Sequence, residues 1–228
     1  MKEQFVNKNR ITLALALVVI GVVLRVLLHN NLPSSPSMYM TLNGITQPMF
    51  MLDLFFVIAI ISLLSGLLLG GYFTFLVPIS VMIITDLIIG NNWILLFTWS
   101  GFAILGIIGY VLKTKNMFTI QRIPTILGAG IGGILLYDIW TNFGVWLQGF
   151  GYAHTSQGLA LCYTMALPFM FWHLLSTTMA ISLVVIPIAY LKEHRISLPE
   201  ITMHPFEKKT AIATPAILMV LAIISVLV

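Results

Sequence analysis

Four ionisable residues interrupt apolar segments of this chain, and their chemistry needs an explanation. They are Arg25, Asp53, Asp86 and Asp138. Ionisable groups within apolar spans are costly, and they usually pair with one another or line a watery cavity. One interpretation is a structural Arg–Asp pair plus carboxylates that reach headgroup water, and for Arg25 alone the long side chain could instead snorkel to the interface. The other interpretation is a polar pocket that faces outward.

A second group of residues lies in the polar and aromatic stretch 137–172, which contains no Lys or Arg. Its amides and imidazole can recognise a ligand both as donors and as acceptors. The alternative for each is a solvated loop residue, and Trp and Tyr are also the usual residues of membrane interfaces. These two groups, with Asn91 added from the turn after the third span, supply the predicted substrate-binding residues: Arg25, Asp86, Asn91, Asp138, Asn142, Trp146, Gln148, Tyr152, His154, Gln157 and Tyr163.

Two other reactive residues have a structural alternative. His173 is predicted well inside the sixth span, where a neutral, hydrogen-bonded packing residue is commoner than a ligand. Cys162 could be a soft ligand to a metal-containing substrate, but a small buried hydrophobe describes it better. We predict neither a catalytic residue, nor a metal site, nor a cofactor.

Composition indicates the class of protein that must position these residues. Of the 228 residues, 59% are hydrophobic and only 8% are charged, against about 25% charged in soluble domains. This predicts an all-α, polytopic membrane bundle with room for six or seven spans. The basic residues form no patch with interleaved aromatics, which argues against nucleic-acid binding. A single Cys forms no internal disulfide.

Seven apolar segments are predicted as spans, and they are residues 11–28, 49–70, 73–89, 93–112, 124–143, 158–191 and 211–228. The first is too long for the apolar region of a signal peptide, so we interpret it as a retained helix. Small residues at four-residue spacing predict close helix packing at Ser62, Gly66 and Gly70 and at Gly128 and Gly132. The long polar connection 29–48 could cover a site, and Pro168 and Pro187 are expected bend points.

The basic residues predict the orientation, because Lys and Arg in short loops stay cytoplasmic. All ten in the predicted loops fall on one side: Lys2, Lys8, Arg10, Lys113, Lys115, Arg122, Lys192, Arg195, Lys208 and Lys209. We therefore expect a multi-pass protein of the cell membrane with a cytoplasmic N-terminus and, with seven spans, an external C-terminus. The loop at 144–158 is expected to face outward.

Several segments resemble a known group of membrane proteins. These are TDLIIG at 85–90, GGYFTFLVPIS at 70–80, TNFGVWL at 141–147 and QGLALCYTMALPF at 157–169. They look like a family of prokaryotic integral membrane proteins that is similar to the substrate-binding S components of energy-coupling factor (ECF) vitamin transporters. The resemblance covers roughly residues 11–191.

This resemblance implies a six-helix domain over residues 1–191, followed at 192–228 by a cytoplasmic loop and an additional transmembrane helix. Such a domain would bind a vitamin-like molecule from outside and topple within the membrane. An ECF T component and two ATPases would be the partners. S components dock through an Ala-x-x-x-Ala spacing in the first helix, and the nearest match here is Thr12 and Ala16, which departs from that pattern.

The leading functional hypothesis is therefore a non-enzymatic, substrate-binding subunit for uptake of a small vitamin- or cofactor-like molecule. The chain contains no GxxxxGK[ST] run, so a partner must supply any use of ATP. An intramembrane enzyme is one alternative, although no HExxH or Gly-x-Ser-x-Gly motif is present. A structural or assembly protein without a ligand is the other.

Overall fold

The computed structural model describes residues 2–32, 38–90, 94–194 and 205–227. Their α-helices are α1 (Lys2–His29), α2 (Phe55–Leu64), α3 (Phe73–Ile89), α4 (Leu95–Thr114), α5 (Ile123–Leu147), α6 (Ser156–Ala180), α7 (Ile186–His194) and α8 (Pro205–Leu227). A π-helical turn, Ser65–Leu69, extends α2, and a second one, Ile181–Val185, joins α6 to α7. A short 3-10 turn, Ile120–Arg122, precedes α5.

The length and hydropathy of these helices confirm an all-α, membrane-embedded protein. Five described helical segments are long and apolar enough to cross a membrane: Lys8–His29, Leu95–Thr114, Ile120–Leu147, Ser156–His194 and Pro205–Leu227. Two further apolar helices, Phe55–Leu69 and Phe73–Ile89, are shorter. The division into six core helices and one additional helix stays a prediction.

Helix α2 occupies the interior of the bundle. Every one of its residues except Phe56 is buried, and it packs against α1, α3, α4 and α6. A helix that is apolar on all sides suits either lipid or a protein interior, and here the neighbouring helices enclose it. The residue that precedes α2 by two positions, Asp53, is thereby brought close to side chains from several helices.

Glycines allow the backbone of α4 to approach closely the backbone of the α2 segment, which is α2 with its π turn, residues 55–69. A Cβ atom at Gly109 would lie 2.2 Å from the Leu63 carbonyl oxygen, and one at Gly66 would lie 2.1 Å from the Gly106 carbonyl oxygen. The predicted role of Gly66 in close packing agrees with this geometry. The close packing predicted at Gly128 and Gly132 is not found, since a Cβ atom at either would meet no described atom within 4 Å.

A β-hairpin occupies part of the connection between α1 and α2. Strands β1 (Met38–Leu42) and β2 (Ile45–Phe50) pair antiparallel. Asn43 and Gly44 turn the chain with φ of 52° and 80°, the two-residue turn whose twist matches that of the strands. The second span was expected to begin at residue 49, but the chain stays extended to Phe50 and the helix begins at Phe55.

The sixth apolar segment is helical throughout, from Ser156 to His194. Pro168 lies inside α6. The π turn Ile181–Val185 comes just before Pro187, which has no N–H to donate to the preceding turn. A π turn adjusts the backbone where regular hydrogen bonding is interrupted.

Basic residues gather at the end of the bundle where the α2 segment finishes. Arg10 donates to the Gly70 carbonyl oxygen at 2.9 Å and forms an ion pair with Glu207, also at 2.9 Å. Lys113 donates to the carbonyl oxygens of Leu68 and Leu69 at 2.6 and 3.1 Å. The Arg10–Glu207 pair joins the residues at the start of α8 to α1, and α8 packs mainly on α4.

We predict that Gly109→Ala destabilises the protein by about 1–3 kcal/mol, because the new methyl group overlaps the α2 backbone. Gly128→Ala is the matched control, since it makes the same change in a helix with open space. Thermal unfolding in detergent measures both variants. Equal midpoints for the two would contradict the tight α2–α4 contact.

Candidate functional site

An ion pair between α1 and α3 forms one side of the candidate site. Arg25 Nη1 lies 2.7 Å from Asp86 Oδ1 and also donates to the Thr85 hydroxyl. The indole N–H of Trp99 donates to the other Asp86 oxygen at 2.9 Å. The pair is largely buried, with 16% and 9% of the two side chains exposed. Arg25 is therefore positioned by a carboxylate and does not snorkel.

A carboxylate–imidazole–carboxylate cluster forms the other side. His173 Nε2 lies 2.7 Å from Asp53 Oδ2, and His173 Nδ1 lies 2.6 Å from Asp138 Oδ1. Asp138 is only 2% exposed, whereas 35% of the Asp53 side chain is exposed. Ionised carboxylates only accept hydrogen bonds, and an imidazole donates from both nitrogens only when it is protonated. Two ionised aspartates therefore require an imidazolium at His173.

Local structure fixes the position of Asp53 relative to α6. Asp53 follows β2, and its Oδ1 accepts the Phe55 N–H at 3.0 Å at the start of α2. The indole of Trp172 donates to the Asp53 carbonyl oxygen at 3.0 Å, and the Met51 N–H donates to the Pro168 carbonyl at 3.1 Å. These bonds tie the end of the hairpin to α6, which also carries His173.

Aromatic rings pack around the imidazole. Phe55 stacks on His173 with ring centroids 4.1 Å apart. Tyr137 lies 4.6 Å from Phe55 and 4.7 Å from Phe102, measured between centroids. These rings hold the imidazole ring in its orientation between the two carboxylates.

A partly open cavity of about 150 Å3 lies between the two charged clusters. It contacts Arg25 of the first cluster and Asp53 of the second. The described residues that line it are Arg25, Asp53, Leu54, Phe55, Ile58, Met82, Thr98, Phe102 and Tyr137. Two charged groups of opposite sign thus face a space whose other walls are mainly apolar and aromatic.

The predicted site residues divide between this region and the surroundings of the α5–α6 connection. The latter, called the loop candidates, are Asn142 and Trp146 in α5, Gln148, Tyr152 and His154 in the connection, and Gln157 and Tyr163 in α6. Arg25, Asp86 and Asp138 belong to the two charged clusters. None of the loop candidates lines the cavity, and their roles in binding stay predictions. Asn91 lies outside the described residues.

The loop candidates make mostly local contacts. Asn142 donates to the Asp138 carbonyl one turn earlier at 2.8 Å, and Tyr163 donates to the Ile139 carbonyl at 2.9 Å. Trp146 donates to the Ala153 carbonyl at 2.9 Å and packs edge-on against His154. These bonds lie within α5, between α6 and α5, and between α5 and the connection that follows it.

The remaining candidates lie at separate places on the surface. Gln148 borders a groove with residues of α4 and α8, and Gln157 is exposed at the start of α6. Partial burial raises the pKa of the Tyr152 hydroxyl, so it stays a neutral donor. Thr12 and Ala16 are exposed on α1, which leaves their predicted docking role a prediction.

Sequence reasoning missed the importance of His173 and left Asp53 out of the binding residues. The sequence signal for both was their ionisable character within apolar surroundings. Cys162 is buried, and its thiol contacts the Asn142 carbonyl at 3.4 Å. Among the described residues, no three His, Cys, Asp or Glu side chains are arranged to hold a metal ion.

Comparison with known proteins supplies a family. The sequence model of DUF6580, a family of unknown function, matches residues 5–200. No curated protein and no solved structure matches the chain. The matched range contains both charged clusters and the whole cavity lining, while α8 lies beyond it.

We predict that Asp86→Asn lowers the free energy of unfolding by on the order of 3–5 kcal/mol, because Arg25 then remains buried without its counterion. The double variant Arg25→Gln/Asp86→Asn should recover part of this loss, since no unpaired charge remains. Denaturant titration in detergent measures both.

Glu193→Gln is the control for this cycle. Its carboxylate accepts one N–H, from Ile120, at an exposed position, so its loss should cost less than about 1 kcal/mol. Strictly additive effects of the two single changes at Arg25 and Asp86 would show that the pair is not coupled.

Proposed function

We propose that this chain, which belongs to the DUF6580 family of unknown function, is a membrane-embedded binding protein that captures a small polar molecule for uptake. The cavity between Arg25 and Asp53 is the observation that carries this proposal. Binding sites for small molecules are typically apolar and aromatic clefts with a few placed polar groups. Ionisable residues inside a membrane bundle also mark substrate pathways.

The size of the cavity limits the ligand. A volume near 150 Å3 accommodates a benzene-sized molecule, whereas pockets for drug-sized ligands occupy roughly 300–1,000 Å3. A vitamin-sized ligand would therefore need a wider cavity. The hairpin is the element we expect to move, because β2 leads directly into Asp53.

The proposed uptake role follows the resemblance to S components. In this proposal a T component and two ATPases supply the energy, since the chain carries no nucleotide-binding run of its own. The exposed Thr12 and Ala16 on α1 are the proposed docking residues. The six-helix domain would bind the ligand, and α8 would be an addition to it.

We also propose that the cavity opens to the cell exterior. The supporting observation is the separation of charge along α2 and the π turn that extends it, residues 55–69. Asp53 precedes its first turn, while Arg10 and Lys113 contact the carbonyl groups at its other end. Basic ends of membrane bundles are generally cytoplasmic.

Site-directed labelling tests this orientation. Cys162, the only cysteine, is replaced by Ala, and a single cysteine is then introduced at Ala153 or at Lys115, which are both exposed. A membrane-impermeant maleimide should label position 153 in intact cells and position 115 only after permeabilisation. The reverse pattern would overturn the proposed orientation.

Ligand retention tests the binding function. The protein is purified in mild detergent, and retained small molecules are identified by mass spectrometry. We expect a retained metabolite that drops at least about tenfold in Arg25→Gln/Asp53→Asn, because both charges facing the cavity are lost. Lys115→Gln is the control, since this exposed residue is not part of the cavity lining.

A third variant separates the cavity from the loop. Alanine at Asn142, Trp146 and Gln157 removes loop candidates without changing the cavity lining. Loss of the metabolite in this variant alone would move the binding site to the loop. Equal retention in all variants would contradict a specific site at either place.

A further inference from the structure

The positive and negative charges of the groups around the cavity do not sum to zero. Arg25 and Asp86 form a neutral pair at 2.7 Å, and the Trp99 indole satisfies the second Asp86 oxygen. The other cluster contains two carboxylates and one imidazole. With His173 protonated and both aspartates ionised, it carries one net negative charge. Only a second bound proton would make it neutral.

This excess negative charge lies where it is poorly solvated. His173 and Asp138 are almost fully buried, and Asp138 Oδ2 is buried with no hydrogen-bond partner in the described part of the chain. An unbalanced charge in a low-dielectric interior is costly, and a nearby opposite charge lowers that cost. The most exposed member of the cluster is Asp53, and it is the member that lines the cavity.

The walls of the cavity suit a compact cation with an apolar surface. Phe55, Phe102 and Tyr137 line the space together with Leu54 and Ile58. Aromatic rings attract cations, and this attraction strengthens when the cation is desolvated. An alkylammonium group would satisfy both features, since its positive charge is spread over apolar methyl groups.

An anionic ligand fits the same surroundings less well. The Arg25 group already donates to Asp86 and to the Thr85 hydroxyl. An anion beside Arg25 would also approach the Asp53 carboxylate across a cavity of only about 150 Å3. Two negative charges inside one small cavity repel each other strongly in a low-dielectric environment.

From this charge balance we infer that the ligand of the cavity is a small organic cation of the alkylammonium class, held with its charge beside Asp53. This inference rests on the proposed function, which requires a ligand at the cavity. It adds the charge and the chemical class of that ligand.

Three probes of similar shape and different charge test the inference. They are tetramethylammonium, tert-butanol and trimethylacetate, which are cationic, neutral and anionic respectively. The full-length protein is placed in nanodiscs of zwitterionic phosphatidylcholine, and binding is measured by isothermal titration calorimetry against empty nanodiscs. We expect tetramethylammonium to bind at least about tenfold more tightly than tert-butanol and trimethylacetate to bind most weakly.

Asp53→Asn should weaken tetramethylammonium binding about tenfold and leave the binding of tert-butanol unchanged. Glu193→Gln removes one negative charge from the same chain away from the cavity, and it should leave both affinities unchanged. If Asp53→Asn does not fold, the order of the three probes on the unmodified protein decides the question.

The outcomes separate this inference from the proposed function. Preferred binding of trimethylacetate, with loss in Arg25→Gln, would overturn the cationic class and leave a binding protein. Equal binding of all three probes, or binding of none, would also overturn the inference. The proposed function itself is decided by the mass-spectrometric experiment, where no retained metabolite, or equal retention in all variants, would contradict it.

Discussion

Charges buried inside a lipid-embedded bundle must be compensated by other parts of the same protein, because hydrocarbon offers neither water nor counterions. Each compensating contact here joins different elements. The Arg25–Asp86 pair joins α1 to α3, and His173 on α6 joins Asp53 before α2 to Asp138 on α5. The need to pair these charges thus brings most of the bundle together around one small space.

Helix α2 together with the π turn that extends it, residues 55–69, is the second constraint, and it explains why charges from other elements lie at its two ends. It is short, apolar and enclosed, so its terminal N–H and C=O groups cannot rely on bulk water. Asp53 accepts the N–H of Phe55 at the first turn, while Lys113 and Arg10 donate to the carbonyls of residues 68–70. A carboxylate at the start and cations at the end also match the helix dipole.

Much of the architecture could be read from local sequence. The third span was predicted at the residues where α3 lies, and the remaining helices differ from prediction mainly at their ends. The hairpin was missed although Asn43 and Gly44 are a strong turn signal, because the polar residues around them were interpreted as loop. The Gly128 and Gly132 spacing was misleading, since spacing alone does not say which face of a helix meets a neighbour.

By itself the sequence determined the membrane class, the helical segments, the segregation of basic residues and the presence of ionisable groups in apolar surroundings. These properties are local, because they depend on hydropathy and charge along the chain. Only the tertiary structure decided which charges meet. His173 lies 120 residues from Asp53 and 35 from Asp138, and its contacts depend on how the helices pack around α2. The cavity is likewise a product of packing, because its walls come from segments that no local pattern connects.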